Sequence, residues 1–151
     1  MANKTKDQPV FEPSLKMWLK FIRAYIAYRK KAVEDVKNYG VTMSQYWVIE
    51  CLGSLGPQLM GELSKKTFLT AGNMTFIVDG LEKSGLVERV LTQDDRRAVM
   101  VRLTPKGKSI YTEAVGGHSK YLSKMAAILT DEEQEELARI LKKLGLGLNN
   151  I

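Results

Sequence analysis

The chain has little with which to do redox or metal chemistry. Cys51 is its only cysteine and His118 its only histidine. One cysteine excludes an intramolecular disulfide and agrees with a reducing compartment. One histidine and one cysteine, with no cluster at metal-ligand spacing, give no zinc-type site. No apolar run reaches the ~18 residues needed to cross a bilayer. The polar opening MANKTKDQPVFEP has no apolar stretch of signal-peptide type. No glycine-rich loop of the P-loop or dinucleotide-binding kind is present. These absences point to a cytoplasmic protein that is not an enzyme, needs no cofactor and has no membrane partner.

What is present is ordinary globular material with a basic bias. The 151 residues are 44% hydrophobic and 26% charged, enough for one domain with a core. The net charge of +6 favours an acidic partner, nucleic acid first. Its distribution is uneven. Residues 1–40 carry nine Lys/Arg against four Asp/Glu, whereas residues 41–103 carry seven of each. Any DNA contact in the middle of the chain must therefore come from placement, not bulk charge.

Periodicity predicts the elements. Residues 1–14 read as an arm containing Pro9 and Pro13. Leu15, Trp18, Leu19, Ile22, Ile26, Val33 and Val36 then recur at helical steps, predicting a long helix that Gly40 stops. This helix also carries Tyr25, Tyr28 and Tyr39, so one face suits burial against something outside its own core. A second helix is predicted over 42–54, a break at the GPQ of 56–58, a third helix over 59–66, and a fourth over 71–83 with Thr70 as N-cap. LVERVL and AVMVRL predict a two-stranded hairpin over 86–103. Thr104-Pro105 opens a helix to about residue 128, with a bend expected at Gly116-Gly117. Thr130 and Glu133 form a capping box for a last amphipathic helix. The expected fold is mainly α with a small β hairpin: a winged helix-turn-helix over 41–104, flanked by surplus helices over 15–40 and 105–151 in a single compact chain.

Two stretches carry the functional reading. At the hairpin tip, Asp95 and Arg97 share one face of an extended chain. A carboxylate there can orient a guanidinium for a minor groove, while Arg96 suits a phosphate; a solvated turn with ordinary surface ion pairs is the simpler alternative. On the fourth helix, Met74, Ile77, Val78 and Leu81 form a core face. Gly72, Phe76 and Lys83 lie opposite, flanked by Asn73, Thr75 and Asp79. Asn73 suits an adenine edge, Thr70 and Thr75 a phosphate or base edge, and Phe76 a thymine methyl. Packing of Phe76 beneath the hairpin or against a neighbouring helix is the alternative.

At these residues the sequence resembles the MarR family of transcriptional regulators, over about residues 15–145. VTMSQYWVIECL is similar to the family's second helix, GELSKKTFLTAGNMTFIVDGLEKSGLVERV to its helix-turn-helix, and DDRRAVMVRLTPKG to its wing. The resemblance implies a homodimer, with the first and last two helices as the dimer interface. It implies a sequence-specific double-stranded DNA-binding protein at a pseudo-palindromic operator, usually a repressor released by a small ligand. It also implies that 70–83 is the recognition helix and that Arg97 enters the minor groove with Asp95 as partner. Many relatives carry arginine where this chain has Phe76. Phosphate affinity would then lean on Lys65, Lys66, Arg89, Arg96 and the basic first helix. The family's ligand site implies Trp18, Ile22, Tyr25, Trp47 and His118 as liners for a small aromatic or phenolic effector; the alternative is that these are core and interface residues, with His118 at a surface or interface. Cys51, beside Glu50 and half-buried on the second helix, reads as an inert thiol. A winged-helix protein–protein interaction module without specific DNA binding is the competing functional class.

Overall fold

The computed structural model describes residues 12–67, 69–91 and 99–148. In chain order they form α1 (Pro13–Val36), a 3-10 turn (Lys37–Tyr39), α2 (Met43–Leu55), β1 (Gln58–Leu59), α3 (Met60–Lys66), α4 (Ala71–Lys83), β2 (Val87–Leu91), β3 (Val99–Leu103), α5 (Pro105–Ala126) and α6 (Asp131–Leu148). The chain falls into two compact units, Met1–Lys31 and Ala32–Ile151. The division runs inside α1. None of the described helices is long and apolar enough to cross a membrane.

In the first unit, α1 carries its apolar stripe on an exposed face. Leu15, Trp18, Phe21, Tyr25 and Ile26 are all exposed. Trp18 and Phe21, three residues apart, bring their ring centroids to 6.4 Å.

In the second unit, the stop and start signals act as expected. Gly40 adopts φ 72°, closing the 3-10 turn in a left-handed conformation that costs glycine little. Thr42 then opens α2 with a reciprocal capping box: its hydroxyl accepts the Gln45 N–H, and the Gln45 side chain accepts the Thr42 N–H. Thr130 and Glu133 do the same for α6. Thr104 accepts the Gly107 N–H at the start of α5 and donates to the Gly85 carbonyl. One residue thus starts a helix and ties it to the turn after α4.

The core gathers Val48, Ile49 and Leu52 of α2, Leu63 of α3, Met74, Val78 and Leu81 of α4, Val87 of β2, Val101 and Leu103 of β3, and Ala114 of α5. A large aliphatic side chain contributes roughly 1.5–3 kcal/mol on full burial. Among the described residues the nine largest of the almost wholly buried side chains belong to this core, so the cluster is what fixes the orientation of α4 and the hairpin.

Two expectations need correction. Among the described residues the sheet has three strands, not two, in the order β1-β3-β2 and antiparallel throughout. Gln58 pairs with Val101 and Leu59 with Met100, so an edge strand begins at the last residue of the GPQ break. A two-residue strand has no alternation to detect, which is why periodicity misses it. The second correction concerns α5, which runs as one helix through Gly116-Gly117. A side chain at Gly117 would lie 2.0 Å from the Tyr39 hydroxyl, so this glycine admits a close aromatic neighbour.

Gly107 is tighter still. A Cβ there would lie 1.9 Å from the Leu86 carbonyl oxygen, a backbone atom that also accepts the Thr104 N–H. α5 meets the start of the hairpin backbone to backbone. We therefore expect Gly107→Ala to cost about 3 kcal/mol through forced separation. Gly116→Ala, where a Cβ meets nothing, should gain about 0.5–1 kcal/mol of helix propensity. Urea unfolding midpoints of the two variants test the contrast; equal midpoints would show that α5 tolerates displacement from the sheet.

Candidate nucleic-acid interface

The site is built on α4, and its two faces have opposite characters. Met74, Ile77, Val78 and Leu81 are buried, while Gly72, Asn73, Thr75 and Phe76 are exposed. Helical spacing puts Gly72 and Phe76, and Asn73 and Phe76, side by side on the outer face. Thr70 caps the helix, accepting the Asn73 N–H at 3.4 Å. The Ala71 and Gly72 amides have no acceptor within the helix, as in any first turn, and the helix dipole adds partial positive charge there. Uncrowded backbone at Gly72, with nothing within 4 Å of an added Cβ, leaves that end open to a large approaching surface.

Phe76 resolves against its alternative. Its side chain is 80% exposed and does not pack beneath the hairpin. It forms one wall of a shallow depression of about 330 Å³, with Thr42, Gln45, Ile77 and Gly80 among the other walls.

The cations differ in how firmly they are engaged. Lys65 is exposed and pairs with Glu62 at 3.0 Å, a surface pair of small energetic weight. Lys66 donates to the Gln58 side chain. Both stand at the end of α3, just before the turn into α4. Arg89, expected to contact phosphate, is engaged within the protein. Its guanidinium, about a quarter exposed, bonds Asp79 at 2.5 Å and also Glu82, both on α4. Burial alone would lower its pKa, but the hydrogen bonds it donates to Asp79 and Glu82 hold it above its ordinary value. Arg89 is therefore a charged brace between β2 and α4, and it neutralises the carboxylates that would otherwise repel a phosphate backbone. Nothing in periodicity signals this brace, because its members are seven and ten residues apart on different elements. On the hairpin, Glu88 and Arg102 are directly paired across the strands at 2.8 Å. The wing-tip residues Asp95, Arg96 and Arg97 lie outside the described residues.

The expected effector liners fall into two groups. Trp18, Ile22 and Tyr25 belong to the first unit, where Trp18 and Tyr25 are exposed and Ile22 is half-buried. Trp47 and His118 belong to the second. Trp47 packs against its core. His118, expected at a surface or interface, is only 4% exposed. Its Nδ1 N–H donates to Asp35 Oδ2 at 2.7 Å, and Tyr46 meets the ring edge-on at 5.0 Å. This pair closes the end of α1 onto α5 across 83 residues of sequence, a distance over which no local pattern could show it. None of the five candidates lines the depression beside Phe76. Cys51 is buried, and burial first, with Glu50 second, pushes its thiol up. That suits an inert residue. Among the described residues no group of three His, Cys, Asp or Glu side chains is placed to hold a metal.

Replacing His118 by leucine would leave the Asp35 carboxylate nearly buried without its donor. We expect a loss of about 3 kcal/mol, read as a lowered urea midpoint. Asp35→Asn, which keeps an acceptor at the same place, should lose less. Unchanged midpoints for both would mean that the pair does not hold α1 to α5.

Comparison with known proteins fits this geometry. A model of the MarR family matches residues 39–98, which run from the end of the 3-10 turn to the wing. The HTH-type transcriptional regulator PrsX of Escherichia coli is 34% identical over 99% of this chain and 90% of its own length. The uncharacterized HTH-type transcriptional regulator YsmB of Bacillus subtilis is 36% identical over 83% of this chain and 85% of its own. Among solved structures, a cysteine-to-serine mutant of MarR from E. coli, complexed with operator DNA, superposes with a TM-score of 0.80. It is 23% identical and covers 91% of this chain and 99% of that one, a likeness of fold.

Proposed function

This chain belongs to the MarR family of transcriptional regulators, and from that premise we propose that it is a homodimeric repressor. Its two α4 helices would read successive major grooves of a pseudo-palindromic duplex. The observation that carries the reading is the outer face of α4: Thr70, Gly72, Asn73, Thr75 and Phe76 are exposed together at a helix N-terminus. The core does not need these residues, and the helix end favours phosphate. Lys65 and Lys66, exposed in the last turn of α3, would contact phosphates flanking that groove. Arg97, oriented by Asp95, would enter the adjacent minor groove, and Arg96 would contact a phosphate.

The surplus helices support dimerisation. α1 exposes Leu15, Trp18, Phe21, Tyr25 and Ile26, and α6 exposes Leu137, Ile140 and Leu141 while burying none of its residues. Apolar faces of this extent suit subunit contact. A two-fold axis would then set half-sites about 34–36 Å apart, one turn of the duplex. Bound at a promoter, such a dimer blocks polymerase. A small aromatic or phenolic ligand would release it by favouring a dimer with wrongly spaced α4 helices. The exposed rings of Trp18 and Tyr25 offer stacking surface for it.

Fluorescence anisotropy with DNA flanking the protein's own gene, against a scrambled duplex, tests the proposal. We expect preference for the flanking DNA and a steep fall of log affinity with log salt. Arg97→Ala should weaken binding by about 1–3 kcal/mol and reduce the salt slope by about one. Equal, weak binding to both duplexes would instead favour an interaction module that uses Phe76 as an apolar contact.

A further inference from the structure

We propose that α4 reads an A·T-based half-site, with Phe76 seated against the 5-methyl group of a thymine as its main discriminating contact. The inference rests on the DNA-binding reading above and names the base chemistry of that site. Three observations carry it.

The first is the donor inventory of the outer face. Guanine presents two acceptors in the major groove, and its commonest specific partner is a forked or long cationic side chain. α4 has one cation, Lys83, in its last turn and away from the N-terminal end that faces a groove. What its first two turns offer is the Asn73 amide, the Thr75 hydroxyl and the Phe76 ring. An amide matches the adenine edge, which pairs a donor with an acceptor, and an apolar ring matches the thymine methyl.

The second is the placement of Phe76. A single exposed apolar residue needs no explanation, but this ring is 80% exposed and stands one helical step from Asn73. It borders open space walled by Ile77 and Gly80 and, on its other sides, by Thr42, Gln45, Asp79 and Lys83, so a methyl group entering there has the ring and Ile77 as its apolar neighbours. The core of the second unit does not require it.

The third is charge. Arg89 holds both α4 carboxylates, Asp79 and Glu82, in ion pairs. Asp79 is thereby turned toward β2 instead of standing free to accept from a cytosine amino group. The face keeps little net charge, and discrimination passes to shape and apolar contact.

The test uses the full-length protein and a duplex selected from random DNA by successive rounds of binding. Each thymine of the selected site is then replaced by deoxyuridine, which removes the 5-methyl group and leaves the pairing edge intact. We expect one position in each half-site where this change weakens binding roughly fourfold, the worth of one buried methyl-sized group. Phe76→Ala should bind the thymine duplex more weakly and lose nothing further on deoxyuridine substitution there. Phe76→Leu, which keeps an apolar tip, should retain part of the sensitivity. A wild-type protein indifferent to deoxyuridine at every position would overturn the proposal, and so would a Phe76→Ala protein that keeps the full penalty. If selection enriches no sequence over random duplex, the specific DNA-binding reading fails, and this inference fails with it.

Discussion

Everything this chain offers to a partner depends on how α4 is held. Met74, Val78 and Leu81 fix its inner face in the core, and Arg89 ties its outer flank to β2 through Asp79 and Glu82. The apolar contacts set depth, and the ion pairs set rotation about the helix axis. A helix anchored in both ways presents Gly72, Asn73, Thr75 and Phe76 in one arrangement. That matters for recognition, since ordering side chains at the moment of binding subtracts from affinity. The same guanidinium links α4 to β2, so the helix and the strand proposed to face DNA share one brace.

Close backbone approach extends this rigidity outward. Gly107 lets α5 touch the Leu86 carbonyl, Gly117 admits the Tyr39 hydroxyl, and Gly53 of α2 lies beneath the Tyr111 ring. With the Asp35–His118 pair, these contacts join the end of α1 and the body of α5 to the winged module. The end of α1 and the body of α5 are thus fixed, at these points, to α2, the 3-10 turn and the start of the hairpin.

How much of this was legible in the sequence follows the range of the interactions. Caps and stops are local, so Thr70, Thr104, Thr130 and Gly40 mark their elements within a residue or two. The two faces of α4 follow from a 100° step and stand as read, Phe76 included. β1 escaped because two residues carry no period, and Gly116-Gly117 was misread because a glycine needed for packing looks the same in sequence as one that bends a helix. The partners of Arg89 and His118 were not legible, for a common reason. Each is defined by partners on another element, Asp79 and Glu82 in one case and Asp35 in the other. A count of charges cannot tell a bound cation from a free one.

The central claim is that the exposed N-terminal face of α4 is what meets the duplex. Amide hydrogen exchange of the full-length protein, with and without its selected duplex, tests it most directly. The account predicts slowed exchange across residues 70–76 and the strands of the wing, with the inner turns of α4 already slow in the free protein. Protection confined to other elements, with 70–76 exchanging at the free rate in the complex, would contradict it.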